Sequence, residues 1–256
     1  MRRDLRELFS YARESFASVQ LEWTADCDAA VLQRAFERSV PDFEALDASG
    51  AVVRFEAPPG AARPRSRDGR FRYEGRAWWR RPSCWRDDVI RENGATTVNV
   101  VCGADVSAFH SAPPTLLTNR RSGQQIPRLR SLLGPRPGVA LPTIEGRLRT
   151  VTLVDPAFLA SGWELSVLGE RTHAGRETIH VQATRLDLES GAVPWEGVNR
   201  YELLVDRQRG VLLRCAGIVD GVEAGILSVR SVVFDEPIPD EVFSCPAPKG
   251  TRVVWV

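Results

Sequence analysis

The last third of the chain constrains the fold most. Five apolar-rich segments follow one another there: Trp163 to Leu168, Glu177 to Arg185, Asn199 to Asp206, Val211 to Val219 and Gly225 to Phe234. The breaks between them carry turn residues, including His173-Ala174-Gly175, Arg207-Gln208-Arg209-Gly210 and Asp220-Gly221. An Asp-Gly pair between apolar runs is a strong signal for a two-residue hairpin, because both positions accept positive φ. Short, evenly spaced strands with few helices predict an antiparallel, mainly β or helix-capped β fold.

The rest of the chain adds helices at the front and more strands behind them. Leu5, Leu8, Phe9, Ala12 and Phe16 recur at helical spacing and predict an amphipathic helix near 3–17. Residues 18–26 alternate, with Val19, Leu21 and Trp23 on one face of a strand. Asp26 or Asp28 is a candidate cap for a second helix through Arg38, with Val31, Leu32, Ala35 and Phe36 as its stripe. Val52 to Glu56 reads as a short strand, and 57–69 as a Pro-, Gly- and Arg-rich loop. Phe71, Tyr73, Ala77 and Trp79 share the face of a further strand, followed by strands at Trp85 to Arg91 and Thr96 to Cys102. Six prolines between 111 and 142 predict a long excursion with a helical turn at Arg128–Leu133. Asp155-Pro156 opens a short helix through Ala160. No internal repeat, P-loop or Rossmann glycine pattern is present, and the chain reads as a single domain over 1–256, helical over 1–40.

Charge and cysteine usage narrow the partners. The 34 basic residues, all arginine except Lys249, are nearly cancelled by 33 acidic ones, so the net charge of +1 argues against a sequence-independent nucleic-acid binder. No apolar h-region follows Arg2 and Arg3, and no apolar run reaches the ~18–20 residues of a membrane span. The expectation is a soluble cytoplasmic protein with no integral membrane segment. Cys27, Cys84, Cys102, Cys215 and Cys245 are odd in number and widely spaced, which reads as small buried hydrophobes rather than a disulfide framework.

A search for catalytic chemistry finds little. There is no GxSxG elbow, HExxH or CxxC, and His110, His173 and His180 are too far apart for a local metal motif. Convergence of Cys84, Cys102 and His110 across strands is the one arrangement that would hold a metal or a thiol nucleophile. Asp87 and Asp88 are neighbours in a strand and point to opposite faces, so they do not share a site. Asp206 precedes a turn and is placed to accept its N–H groups. The expectation is therefore no metal, no cofactor and no enzyme. The aromatics say more. Trp78, Trp79 and Trp85 are interleaved with Arg76, Arg80, Arg81 and Arg86. Such a cluster can stack on nucleic-acid bases, form cation–π pairs within a sheet, line an apolar cavity with a positive rim, or simply face the core.

Several segments resemble a known family. Gly75-Arg-Ala-Trp78-Trp79-Arg-Arg81-Pro82, then Trp85, resembles the G-x-x-W-x-x-R-P segment of the LolA-like, outer-membrane lipoprotein-sorting proteins. Val100-Val-Cys-Gly103 sits where that family has an apolar strand ending in Asp-Gly. The run Tyr201 to Arg214 resembles its Y-x-x-x-V-D-x-x-x-G-x-x-L-R hairpin, which the related RseB/MucB-type regulators share. Phe234 to Phe243, with Pro246, is similar to its terminal F-x-x-x-x-P-D-x-x-F-x-x-P segment. The resemblance spans roughly 70–256, with Cys102 in place of the family's Asp and Val106 and Ser107 in place of its aromatics. It implies a curved antiparallel half-barrel of about ten strands packed on N-terminal and plug helices. It also implies a non-catalytic protein whose concave face takes an acyl chain, a lipidated partner or a partner segment. Tyr73, Trp79 and Trp85 are then the expected cavity lining, with Arg81 at the rim.

Overall fold

The computed structural model of the chain describes residues 4–12, 14–39, 45–46, 52–53, 69–103, 105–118, 150–160, 162–186, 194–195 and 197–255. Helix α1 (Leu5–Ala12) buries Leu8, Phe9 and Ala12, one stripe at helical spacing. Strand β1 (Ser18–Asp28) buries Val19, Leu21, Trp23, Ala25 and Cys27, every second residue. Helix α2 (Ala29–Ser39) starts where Asp28 Oδ1 accepts the Val31 N–H at 3.0 Å, satisfying a donor that the helix itself leaves unpaired. Asp26, the other candidate cap, instead meets Arg70 at 2.6 Å. Two short strands, β2 (Ala45–Leu46) and β3 (Val52–Val53), pair only with each other.

Five strands then run in sequence: β4 (Arg70–Arg80), β5 (Cys84–Arg91), β6 (Thr96–Cys102), β7 (Asp105–Ser111) and β8 (Pro114–Thr118). After a 3₁₀ turn at Pro156–Ala160 come β9 (Trp163–His173), β10 (Arg176–Arg185), β11 (Arg200–Asp206), β12 (Leu212–Val219) and β13 (Val222–Phe234). A second 3₁₀ turn, Asp240–Phe243, precedes β14 (Arg252–Trp255). The β12–β13 turn uses Asp220 at φ 52° and Gly221 at φ 80°, as the Asp-Gly pair predicts.

All but β2 and β3 join one sheet in the order β14-β8-β7-β6-β5-β4-β1-β13-β12-β11-β10-β9. Every ladder is antiparallel except β14–β8, and the ends do not meet, so the sheet stays open. Among the described residues it holds twelve strands rather than about ten, because β7, β8 and β14 join it while β3, within the expected 52–56 strand, pairs with β2 outside it. The sheet is strongly curved. His173 Nε2, from β9, lies 3.0 Å from the Val229 carbonyl oxygen of β13. Four strand spacings separate those strands, and a flat sheet would hold them roughly 19 Å apart. Arg176 of β10 likewise places its guanidinium 5.0 Å from the Phe234 ring centroid of β13. The main core lies on the face that α1 covers, which we call the concave side, where α1, Leu153, Val154 and Leu159 pack with Trp163, Tyr201, Leu203, Leu213 and Leu227.

Two expectations change. Residues 111–118 do not belong to a proline-rich excursion: Ser111 ends β7 and Pro114 opens β8, where the first residue of a strand tolerates a missing N–H. Residues 119–142, with the expected turn at Arg128–Leu133, lie outside the described residues. The cysteines also differ. Cys84 and Cys102 are direct partners across the β5–β6 ladder, and their sulfurs form a disulfide. Spacing hides this pair, because the strand register rather than the sequence distance brings them together. Cys27 and Cys215 are buried thiols, as expected of small hydrophobes, and Cys245 is a half-buried one.

Candidate ligand-binding face

The register of β4 to β7 sorts the aromatic and polar residues onto two faces. Trp79 pairs with Trp85, and Trp85 with Val101. Partners directly across a ladder point the same way. These three therefore share the concave side with Ala77 and Val89. Trp79 and Trp85 are 8% and 5% exposed, so both are core residues. Phe16 meets Trp79 edge-on with centroids 5.2 Å apart. Tyr73 lies further along β4, opposite Ala25 and Arg91. It borders a separate open cleft of about 590 Å³ between β1, β4 and β5. The charges around that cleft pair among themselves: Arg72 with Asp26 at 3.5 Å, and Arg230 with Glu74 at 3.6 Å. Arg81 is exposed in the turn between β4 and β5. The structure thus unites Trp79 with Trp85, packs the half-buried Tyr73 at the margin of the same core, and leaves Arg81 in the turn.

The opposite face carries the rest of the Arg–Trp cluster, and the C-terminal segment covers it. Trp78, Cys84, Val98, Val100 and Cys102 pack against Ile238, Val242, Phe243 and Cys245. Arg80 Nη1 donates to the Ile238 carbonyl at 2.8 Å, and its guanidinium lies 4.8 Å from the Phe243 ring centroid. Arg86 donates to the Val242 carbonyl at 2.9 Å, pairs with Asp88 at 2.6 Å and lies 5.6 Å from the Trp78 centroid. Of the four readings of this cluster, cation–π pairing within the sheet describes the outward-facing arginines, and core packing describes Trp79 and Trp85.

The segments that carry the family resemblance therefore touch one another. The Gly75–Pro82 run holds the Asp240–Phe243 turn through Arg80. The Tyr201–Arg214 hairpin holds Phe234-Asp235 through Arg209, which pairs with Asp235 at 2.8 Å and lies 5.3 Å from the Phe234 centroid. The Ala17 N–H and Arg209 together hold the Asp235 carboxyl below its usual pKa. Asp206 caps its turn by accepting the Gln208 and Arg209 N–H groups at 2.9 and 2.7 Å, and Arg176 closes on its other oxygen.

Among the described residues, the catalytic candidates from the sequence do not converge. Cys84 and Cys102 face outward and are bonded to each other, whereas His110 lies on the concave side opposite Thr97. Burial pushes the Cys215 thiol far above its ordinary pKa, away from thiolate character. Among the described residues no group of three or more His, Cys, Asp or Glu could hold a metal.

Sequence reasoning passed over one concave-face feature. In the row Ala77–Asp87–Asn99–Ala108, Asp87 is 0% and Asn99 2% exposed. Neither amide atom of Asn99 has a hydrogen-bond partner. An orphaned buried polar group costs about 1–3 kcal/mol. The only sequence signal was a polar residue at the centre of the apolar run Val98-Asn99-Val100-Val101.

No protein-family model matches the chain, and no curated protein matches it. Solved structures do. The crystal structure of MucB aligns over 95% of this chain and 62% of that one, with a TM-score of 0.51 and 14% identity. The complex of Pseudomonas aeruginosa MucA/MucB aligns over the same shares, with a TM-score of 0.50 and 16% identity. An uncharacterized conserved protein from Thermus thermophilus aligns over 98% of both chains, with a TM-score of 0.50 and 9% identity. The chain thus spans 62% of the length of MucB. The expected cytoplasmic location is overturned, because MucB, which shares this fold, is extracytoplasmic. The Cys84–Cys102 disulfide agrees with that correction, since such bonds persist in oxidising compartments. The chain has the LolA-like fold that MucB also has.

Proposed function

We propose that this chain is a non-catalytic binding protein, acting as a single domain, that takes an apolar ligand on the concave face of its half-barrel. The ligand is an acyl chain, a lipid or a lipidated protein. The observation that carries the reading is the open, curved sheet whose concave side carries an apolar surface from the α1 side to Trp79, Trp85, Val89 and Val101, interrupted at Asp87 and Asn99. Each methylene moved from water onto that surface would contribute about 0.8 kcal/mol, so affinity needs no charged site. Trp79 and Trp85 line the occupied surface by displacement of neighbouring core side chains, with Tyr73 and Arg81 nearer its margins. Titration with a fluorescent fatty-acyl probe tests this: saturable binding that weakens in Trp79→Ala supports it. Absence of binding to the folded protein rejects it.

A second reading is favoured by one specific observation, the likeness to a MucA/MucB complex. Here the chain is an interaction module of RseB type that holds a partner peptide at its sheet edge or groove. Native mass spectrometry of the purified protein separates the two. A retained lipid mass favours the first reading, and a stoichiometric polypeptide without lipid favours the second.

A further inference from the structure

Among the described residues of β4 to β7, the apolar concave face is interrupted by one polar patch, Asp87, Asn99, Thr97 and His110. Asn99 of β6 stands in register between Asp87 of β5 and Ala108 of β7. It is 2% exposed, and both its amide nitrogen and its amide oxygen lack partners. Exchanging the two amide atoms would change nothing, because both ends are orphaned. One rung along, Thr97 Oγ1 lies 3.3 Å from His110 Nδ1, while the buried His110 Nε2 has no partner. Buried polar side chains are nearly always paired. Two orphans on adjacent rungs of one face, beside Val89 and Trp85, mark a place where a bound group supplies the missing partners.

We infer that Asn99 and His110 form a polar docking point for a neutral amide group carried by an acyl chain. The inference rests on the acyl-binding reading above and names the chemistry of the ligand's polar end. Asn99 presents a donor and an acceptor side by side, and an amide is the simple group that returns both. An ester returns only acceptors. A free carboxylate also returns only acceptors and would meet the buried carboxyl group of Asp87 directly across the ladder. Burial and the nearby charge of Arg91 depress the His110 pKa, so the imidazole is neutral at pH 7 and adds a hydrogen bond rather than a counter-charge. Arg91 itself lies four residues along β5 from Asp87, a backbone separation of roughly 13 Å at strand rise, on the His110 side of the docking point.

The test uses the full chain, stripped of lipid, and three probes of one chain length: lauramide, methyl laurate and lauric acid. Binding is read from the fluorescence of the adjacent tryptophans. Lauramide is expected to bind about tenfold more tightly than methyl laurate, the return on one recovered buried hydrogen-bonding group. In Asn99→Leu that preference disappears while methyl laurate binding is kept or improved. Asn99→Ala serves the same purpose if leucine overfills the site, and circular dichroism checks the fold of each variant. Equal binding of the three probes, tightest binding of the acid, or an amide preference that survives in Asn99→Leu would overturn the docking point and leave the acyl reading standing. Binding of none of the three probes would remove the acyl reading, and this inference with it.

Discussion

Phe16 stands edge-on to Trp79, their ring centroids 5.2 Å apart at 79°, and so ties the segment after α1 to the concave face of β4. Phe16 also touches Phe234 of β13 at 5.3 Å. One side chain thus bridges strands on both sides of β1. At 3% exposure its removal leaves a cavity that rigid neighbours fill poorly. Phe16→Ala is expected to lower unfolding stability by about 3–5 kcal/mol. Urea denaturation followed by tryptophan fluorescence measures it, and a loss below about 1 kcal/mol would contradict this packing.

Gly75 shows why the first residue of the G-x-x-W-x-x-R-P segment is glycine. A Cβ there would lie 2.5 Å from the Asp88 carbonyl oxygen and 2.6 Å from Trp23 Cζ2. Neither the β5 backbone nor a fully buried indole can withdraw cheaply. Gly75→Ala should therefore cost at least about 1–3 kcal/mol, the usual range for overpacking. An unchanged melting temperature would show that β4 and β5 leave more room than this at Gly75.

The disulfide can be checked by counting thiols. In the oxidised, denatured chain only Cys27, Cys215 and Cys245 should react with a thiol reagent, and a peptide map should link Cys84 to Cys102. The bond closes a loop with a sequence separation of 18, so its loss should destabilise the chain by about 3 kcal/mol. A Cys84→Ala/Cys102→Ala double variant tests this without a reducing agent.

Acid should weaken the fold in two steps. Burial lowers the pKa of both His110 and His173 below the ordinary 6.5. The unfolded chain therefore takes up these protons first as pH falls. The stabilising effect of the neutral, folded imidazoles is whole above about 6.5 and is lost progressively below it. Asp235 behaves differently. Its depressed pKa gives a contribution that is present above the ordinary 3.8 and is lost only in stronger acid. Denaturation midpoints from about pH 8 to about pH 5 should fall, and His110→Phe should flatten part of that slope. A midpoint that rises on acidification would reverse the assignment.

Much of the sheet is legible locally. Alternation in 18–26 marks β1, the helical stripe marks α1, and the Asp220-Gly221 turn marks the β12–β13 hairpin. Each of these signals lies within a few residues, where period and turn chemistry act directly. The resemblance motifs were visible as well, but their purpose was not. Arg80 with Phe243, and Arg209 with Phe234 and Asp235, meet only after the sheet is assembled.

What the sequence by itself determined is a mainly β chain with a helical start, a balanced charge and no nucleophilic or metal-binding motif. Tertiary structure alone decided which aromatics face the concave side, that Cys84 meets Cys102, that β14 joins β8, and that Asn99 is buried without a partner. The physical reason is strand order. By placing β4 and β13 on either side of β1, the fold pairs residues far apart in the chain. The period of a strand says that neighbours alternate between faces, but only the assembled sheet says what each face meets.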